Sequence, residues 1–228
     1  MMINPQDWEP IMVSLKLASV TTAVLLVIGL PLSWWLAKRR SMLCGVVNAV
    51  VTLPLVLPPS VLGFYILVAL GPEGPIGRLT DQLGIGTLNF TFTGLVFGSV
   101  LYSMPFMVQP LVTAFEGVGP RPMEVAATLR CPPLDAFFNV VMPLASHGIV
   151  RGALMTFAHT IGEFGVVLMI GGAIPGQTQV VSTQIYTYVE AMEYDHAYAL
   201  AGGMLIFSFI VLMLLNLLER RHPKKVAS

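Results

Sequence analysis

Apolar residues run through this chain in blocks far longer than a soluble helix needs, and polar residues collect between the blocks. Five runs stand out: Ile11–Ala37, Leu43–Leu70, Phe92–Ala114, Ile149–Ile170 and Ala199–Leu218. A helix of about 20 apolar residues crosses the hydrocarbon of a bilayer, so each run predicts a membrane span. The second run is interrupted by Leu53-Pro54-Leu55-Val56-Leu57-Pro58-Pro59-Ser60, with Gly63 just beyond. Pro54, Pro58 and Pro59 lack backbone donors and must break or kink the helix there. Two readings stay open at that point, a packing kink near the interface or a break lining a watery cavity. The fourth run ends in Gly171-Gly172-Ala173-Ile174-Pro175-Gly176, which cannot continue as helix. Val180–Ala191 follows, too short to cross, and reads as a surface helix or a re-entrant piece, with a sixth short span left open.

Composition agrees with this pattern. Of 228 residues, 55% are hydrophobic and 11% charged, against about 25% charged in soluble domains. The zero net charge hides an asymmetry. With the N-terminus outside, the inner loops hold Lys38, Arg39, Arg40, Arg121, Arg130, Arg220, Arg221, Lys224 and Lys225, and the outer loops only Arg78. Asp7, Glu9, Glu73, Asp81, Glu190, Glu193 and Asp195 then lie outside. This is the distribution that orients membrane proteins, and it puts the C-terminus in the cytoplasm. The first run is preceded by acids and followed by bases, so it reads as a retained span rather than a signal peptide. Cys44 and Cys131 both fall on the cytoplasmic side, which implies no disulfide, and no Cys/His metal spacing is present. The expectation is one all-helical membrane domain over residues 1–228, its core about 11–218, with no catalytic group, metal or nucleic-acid partner.

Two segments carry candidate chemistry. The polar stretch 116–143 is the obvious place to meet a soluble partner. Pro120 and Pro122 suit a helix start, and Cys131-Pro132-Pro133 ends it. Met123, Ala126, Ala127 and Leu129 give that helix an apolar face, and the turn Leu134–Phe138 presents Phe137 and Phe138. Either a partner covers these groups or the loop folds back on its own bundle. The second segment is Phe157-Ala158-His159-Thr160-Ile161-Gly162-Glu163-Phe164-Gly165. Glu163 lies twelve residues beyond Arg151, about 18 Å up a helix. A carboxyl at that depth faces the bundle interior and is a functional candidate by default. His159 and Thr160 share its helical face. Gly152, Ala153, Ala158, Gly162 and Gly165 are small enough for another helix to come close. Glu163 is either gate or pathway architecture, or a structural carboxyl that locks helices together.

The stretch Glu124-Val125-Ala126 … Val140-Val141-Met142-Pro143 resembles the EAA loop of binding-protein-dependent ABC importer permeases. The family pattern is Glu-Ala-Ala, three residues, Gly, nine residues, Ile-x-Leu-Pro. Glu124, Ala126 and Pro143 match, Val125, Val140 and Met142 are conservative replacements, and Arg130 stands at the Gly position. That departure suggests a turn built differently. The proline-rich second run resembles the same family. Gly162-Glu163-Phe164-Gly165 with Ile174-Pro175-Gly176-Gln177-Thr178 looks like its oxyanion branch, above all the molybdate permeases. Sulfate and thiosulfate permeases carry a similar Gly-Glu-Phe-Gly. The resemblance implies a type I importer bundle in a bacterial inner membrane, forming a dimer with a second copy. Two cytoplasmic ATPase subunits would dock through Glu124, Ala126, Ala127, Arg130, Phe137 and Pro143. A periplasmic molybdate-binding protein would deliver the anion past His159, Thr160, Gly162, Glu163 and Phe164.

The sequence has no Gly-x-x-x-x-Gly-Lys-Ser/Thr phosphate loop, so ATP belongs to the partner ATPase and no cofactor is expected here. Sulfate, thiosulfate or tungstate are the alternative cargoes. A proton-coupled transporter using His159 and Glu163 would predict internal repeats with matching broken helices, which the sequence lacks. An intramembrane metalloenzyme would need more than one His/Glu pair, and the His-Glu-x-x-His spacing is missing.

Overall fold

The computed structural model describes residues 7–39 and 41–220, and no strand occurs among them. Arg40, Arg221, Lys224 and Lys225 lie outside the described residues. Twelve α-helices follow in order: α1 Trp8–Lys38, α2 Met42–Thr52, α3 Pro59–Leu70, α4 Pro75–Gln82, α5 Phe92–Val118, α6 Arg121–Thr128, α7 Pro133–Ala136, α8 Met142–Leu144, α9 Ser146–Gly162, α10 Gly165–Gly171, α11 Val181–Glu190 and α12 Tyr194–Arg220. Among the described residues four stretches are long and apolar enough to cross a membrane: Trp8–Lys38, Pro59–Gln82, Phe92–Val118 and Tyr194–Leu218. A fifth is the pair Pro133–Leu144 and Ser146–Gly162, bent by 71°.

Caps and prolines set the local boundaries. The Ser41 hydroxyl accepts from Cys44 N–H at 3.3 Å and starts α2. Thr91 does the same for α5, accepting from Gly94 N–H at 3.1 Å. Each cap satisfies a donor that a helix start would otherwise leave unpaired. The second apolar run divides where its prolines fall. A single 3-10 turn, Leu53–Leu55, carries Pro54, after which Pro58 is extended (φ −56°, ψ 136°) and Pro59 opens α3.

Helices α1 and α5 form the centre. Leu17 meets Leu95 in one buried cluster, and Leu25 meets Met107 and Leu111 in the next. The pairings advance together along both helices, so the two run in the same direction. Helix α9 returns antiparallel to α5. A Cβ on Gly148 would lie 2.2 Å from Ala114 Cβ, and one on Gly152 3.1 Å from the Met107 carbonyl. Helix α3 packs on α10 through Gly63, whose Cβ would stand 2.9 Å from Met169 Cβ.

The fourth apolar run is not one helix. Helix α9 stops at Gly162, Glu163 is extended (φ −67°, ψ 133°), and α10 restarts at Gly165. The expectation of a continuous helix through Glu163 is therefore corrected. Helix α10 then ends beside the acidic loops, where Phe90 N–H donates to the Ile170 carbonyl at 2.9 Å. Residues 172–180 turn back inward, and Val180 is buried with Leu17, Leu95 and Val167. Helix α11 leads outward again to Asp7, which accepts from the Tyr188 hydroxyl at 2.7 Å. The segment 172–190 thus enters the bundle and leaves on the same side.

Candidate functional site

Two helix breaks face each other. A Cβ on Gly165 would lie 2.7 Å from Pro59 Cβ, so the first residue of α10 touches the first residue of α3. Gly162, expected to allow a close approach as well, has nothing within 4 Å of its Cβ position. Beside the breaks opens a cavity of about 610 Å³ lined by Pro59, Ser60, Tyr102, Ala158, His159, Gly162, Glu163, Phe164 and Gly165. A larger groove of about 1350 Å³ continues along the same faces of α5 and α9 toward the basic end, past Phe106, Gln109, Thr113, Met155, Arg151 and His147. The Phe106 and His159 rings stack with centroids 3.9 Å apart where the two spaces adjoin.

Around His159 the hydrogen bonds define a direction. His159 Nδ1 is 3.0 Å from Ser103 Oγ, and Ser103 Oγ is 3.1 Å from Thr160 Oγ1. Thr160 Oγ1 donates to the Thr156 carbonyl at 2.9 Å. A hydroxyl has one proton to give. With Thr160 donating to Thr156, Ser103 must donate to Thr160, and His159 Nδ1–H must then donate to Ser103. This assignment follows from the network. It leaves Nε2 as the only ring nitrogen outside the network. The sequence placed His159 and Thr160 on one face but missed Ser103, which sits on another helix 56 residues away.

Glu163 is 4% exposed. Among the described residues neither carboxyl oxygen has a hydrogen-bond partner. Ser99, on α5, is the hydroxyl that faces it, though at no standard bond geometry. The backbone of Glu163 is better held, its carbonyl accepting from Ser182 Oγ at 2.5 Å. The ring of Phe164 meets Tyr186 with centroids 5.2 Å apart. No group of three His, Cys, Asp or Glu that could hold a metal ion occurs among the described residues.

At the basic end lies the polar loop. Helix α6 carries Glu124 and Ala127 exposed and Ala126 buried. It ends at Arg130, which adopts a left-handed conformation (φ 59°). Arg130 N–H donates to the Ala127 carbonyl and Cys131 N–H to the Ala126 carbonyl, both at 3.0 Å. This is the Schellman pattern that glycine usually terminates. The expectation of a different turn is corrected, because Arg130 adopts the glycine conformation itself. Cys131 Sγ donates to Asp135 Oδ2 at 3.1 Å, and that bond pushes the thiol above its usual range. Phe137, which the sequence offered with Phe138 either to a partner or to the chain's own bundle, does not face outward. It instead packs against Trp34 and Phe115, at centroid distances of 5.2 and 6.1 Å. A widened turn causes this, with Met142 N–H reaching back to the Phe137 carbonyl. Pro143 is exposed at the end of that turn. The apolar side chains left outward are Val125 (59% exposed), Leu129 (77%), Leu134 (74%) and Phe138 (60%).

A family model described as "Binding-protein-dependent transport system inner membrane component" matches residues 29–222. The chain is 60% identical over 215 residues to the molybdenum transport system permease protein ModB of Azotobacter vinelandii, covering 94% of this chain and 95% of that one. It is 34% identical to ModB of Escherichia coli K12, covering 83% of each. It is 30% identical to the sulfate transport system permease protein CysT of Salmonella typhimurium, covering 98% of this chain and 80% of that one. Among solved structures, a bacterial alginate ABC transporter in complex with its periplasmic protein superposes with a TM-score of 0.76 at 16% identity, over 96% of this chain and 80% of that one. An amino acid ABC transporter superposes at 0.63 with 17% identity, over 97% and 100%. At such identities these two describe the fold.

Proposed function

The chain belongs to the family of binding-protein-dependent transport system inner membrane components, and on that basis we propose that it is the permease subunit of an ABC importer for molybdate. The observation that carries the substrate is the 60% identity to a molybdenum permease along nearly the full length of both chains. The chain carries out no chemistry of its own. ATP is bound and hydrolysed by two separate cytoplasmic ATPase subunits, which dock on 116–143 through Glu124 and the outward side chains Val125, Leu129, Leu134 and Phe138. A periplasmic molybdate-binding protein docks at the acidic end, and a second copy of the chain closes the other half of the path.

The path we infer follows α5 and α9, from the cavity at the two helix breaks down the groove toward Arg151. Its polar stations are Ser60, Tyr102, His159 and Gln109, with the Phe106–His159 stack as a constriction. Broken helices at membrane depth are tolerated where their freed backbone groups meet a cavity or protein, and the facing breaks at Pro58 and Glu163 fit that condition. A divalent anion would be repelled by a carboxylate, so Glu163 acts as gate architecture, its carboxyl turned to Ser99 and away from the cargo. Arg151 lies in the groove toward the basic end, where its positive charge favours an arriving anion.

The test is uptake of labelled molybdate into proteoliposomes holding this chain, its ATPase and its binding protein, with sulfate or tungstate in excess. ATP-dependent uptake that resists sulfate is expected. Uptake abolished by sulfate would move the cargo to sulfate, and uptake driven by a proton gradient without ATP would overturn the importer.

A further inference from the structure

The re-entrant segment 172–190 makes contacts that its length does not require. Its outer turn is tightly built. The Ile174 carbonyl accepts from the N–H groups of Gln177, Thr178 and Gln179 at 3.2, 3.0 and 3.0 Å. Thr178 Oγ1 donates to the Gly171 carbonyl at 2.6 Å and accepts from Ile174 N–H at 3.0 Å. Pro175, Gly176 and Gln177 sit exposed on the acidic end, so the turn is a stiff knob rather than a slack loop.

From this knob the chain goes inward to Val180 and starts α11 at the helix break. Val181 N–H donates to Ser14 Oγ at 2.9 Å, and Ser14 in turn donates to the Pro10 carbonyl at 2.8 Å. Val180 N–H and Thr183 Oγ1 close the helix start at 3.0 Å. One turn of α11 then faces the break. Ser182 Oγ donates to the Glu163 carbonyl, and the Tyr186 ring lies tilted against Phe164. A carbonyl at the end of a helix needs an outside donor when no water reaches it, and Ser182 supplies one to the residue that ends α9.

We propose that Ser182 is a positioning residue for transport: it couples the exposed knob at 174–178 to the break at Glu163–Phe164, so that α11 acts as a strut between the docking face and the pathway. The proposal rests on the reading of that break as part of the path. A protein pressing on the knob tilts α11 about its bond to α1, and the Ser182 and Tyr186 contacts carry the displacement to the peptide between α9 and α10. Ser14 is the fixed point against which the strut moves.

The experiment uses the full complex in proteoliposomes, with ATPase subunits and binding protein, and reads anions moved per ATP hydrolysed. Ser182→Ala is expected to lower this ratio by about fivefold or more while hydrolysis continues. Ser182→Thr, which keeps the hydroxyl, should restore it to within about twofold. Ser14→Ala should act in the same direction, and the double variant should be no worse than the poorer single one. A wild-type ratio in Ser182→Ala, or Ser182→Thr as impaired as the alanine variant, overturns the strut. Additive effects of the two alanine variants also overturn it. If Ser182→Ala does not assemble, Ser182→Thr and Ser14→Ala decide. Should the wild type carry sulfate in place of molybdate, the substrate reading fails while the same ratios, read with sulfate, still judge Ser182.

Discussion

Arg130 has a backbone conformation that its side chain disfavours, since left-handed geometry costs an L-residue about 1–2 kcal/mol. The cost is met because the turn it makes satisfies two carbonyls of α6 and aims the chain at Pro133. Arg130→Gly relieves the clash but loosens the unfolded loop, for a net gain of about 0.5–1 kcal/mol. Amide exchange of Cys131, whose N–H closes the same turn, should slow by about two- to fivefold. Arg130→Val, β-branched at the same φ, should speed it. The network at His159 makes a second residue-scale test. Ser103→Ala removes the hydroxyl that joins His159 to Thr160 and leaves a half-buried ring N–H without its acceptor. That costs about 1–3 kcal/mol. The purified protein should melt several degrees lower, whereas Thr113→Ala, whose hydroxyl is exposed and bonds only its own helix, should change little.

At the scale of elements, the contact between α3 and α10 depends on a missing side chain. Gly165→Ala would place a Cβ 2.7 Å from the rigid Pro59 ring and separate the two breaks. Overpacking of this kind costs about 1–3 kcal/mol, and uptake and yield of the complex should both fall. Gly162→Ala meets nothing within 4 Å and should leave the yield unchanged, although it adds a methyl to the cavity wall. Equal effects of the two substitutions on yield would refute the facing breaks. The break before α3 was legible because prolines lack the donors a helix needs, and Pro54, Pro58 and Pro59 mark the spot. The break after Gly162 was not legible. Gly-Glu-Phe-Gly reads as a continuing apolar helix, and what stops it is distant in sequence: Pro59 against Gly165, and Ser182 on the Glu163 carbonyl. Phe137 and Phe138 are chemically identical neighbours, and only the widened turn beyond them turns one inward. Local pattern therefore located the elements, while tertiary contacts decided which residues line the site.

For the whole molecule, the groove along α5 and α9 and the loop 116–143 open at the same end, because α5 leads into the loop and α9 leads out of it. An ATPase docked on the loop, as proposed, would thus apply its motion to both helices of the inferred path. Uncoupling at the loop should stop transport without harming the bundle, and Glu124→Lys is the sharpest way to do it. Glu124 is exposed, so a lysine costs the fold within about 0.5 kcal/mol, yet it reverses the charge offered to the partner. The expected result is a permease that reaches the membrane and purifies in normal amount but retains little of its ATPase and no uptake. Single cysteines at Leu129, Leu134 and Phe138, in a Cys44→Ala, Cys131→Ala background, should complete the argument. A membrane-impermeant thiol reagent should label them only from the cytoplasmic side, and bound ATPase should protect them. Labelling from outside would invert the orientation, and labelling unaffected by the ATPase would mean that the partner docks on another surface.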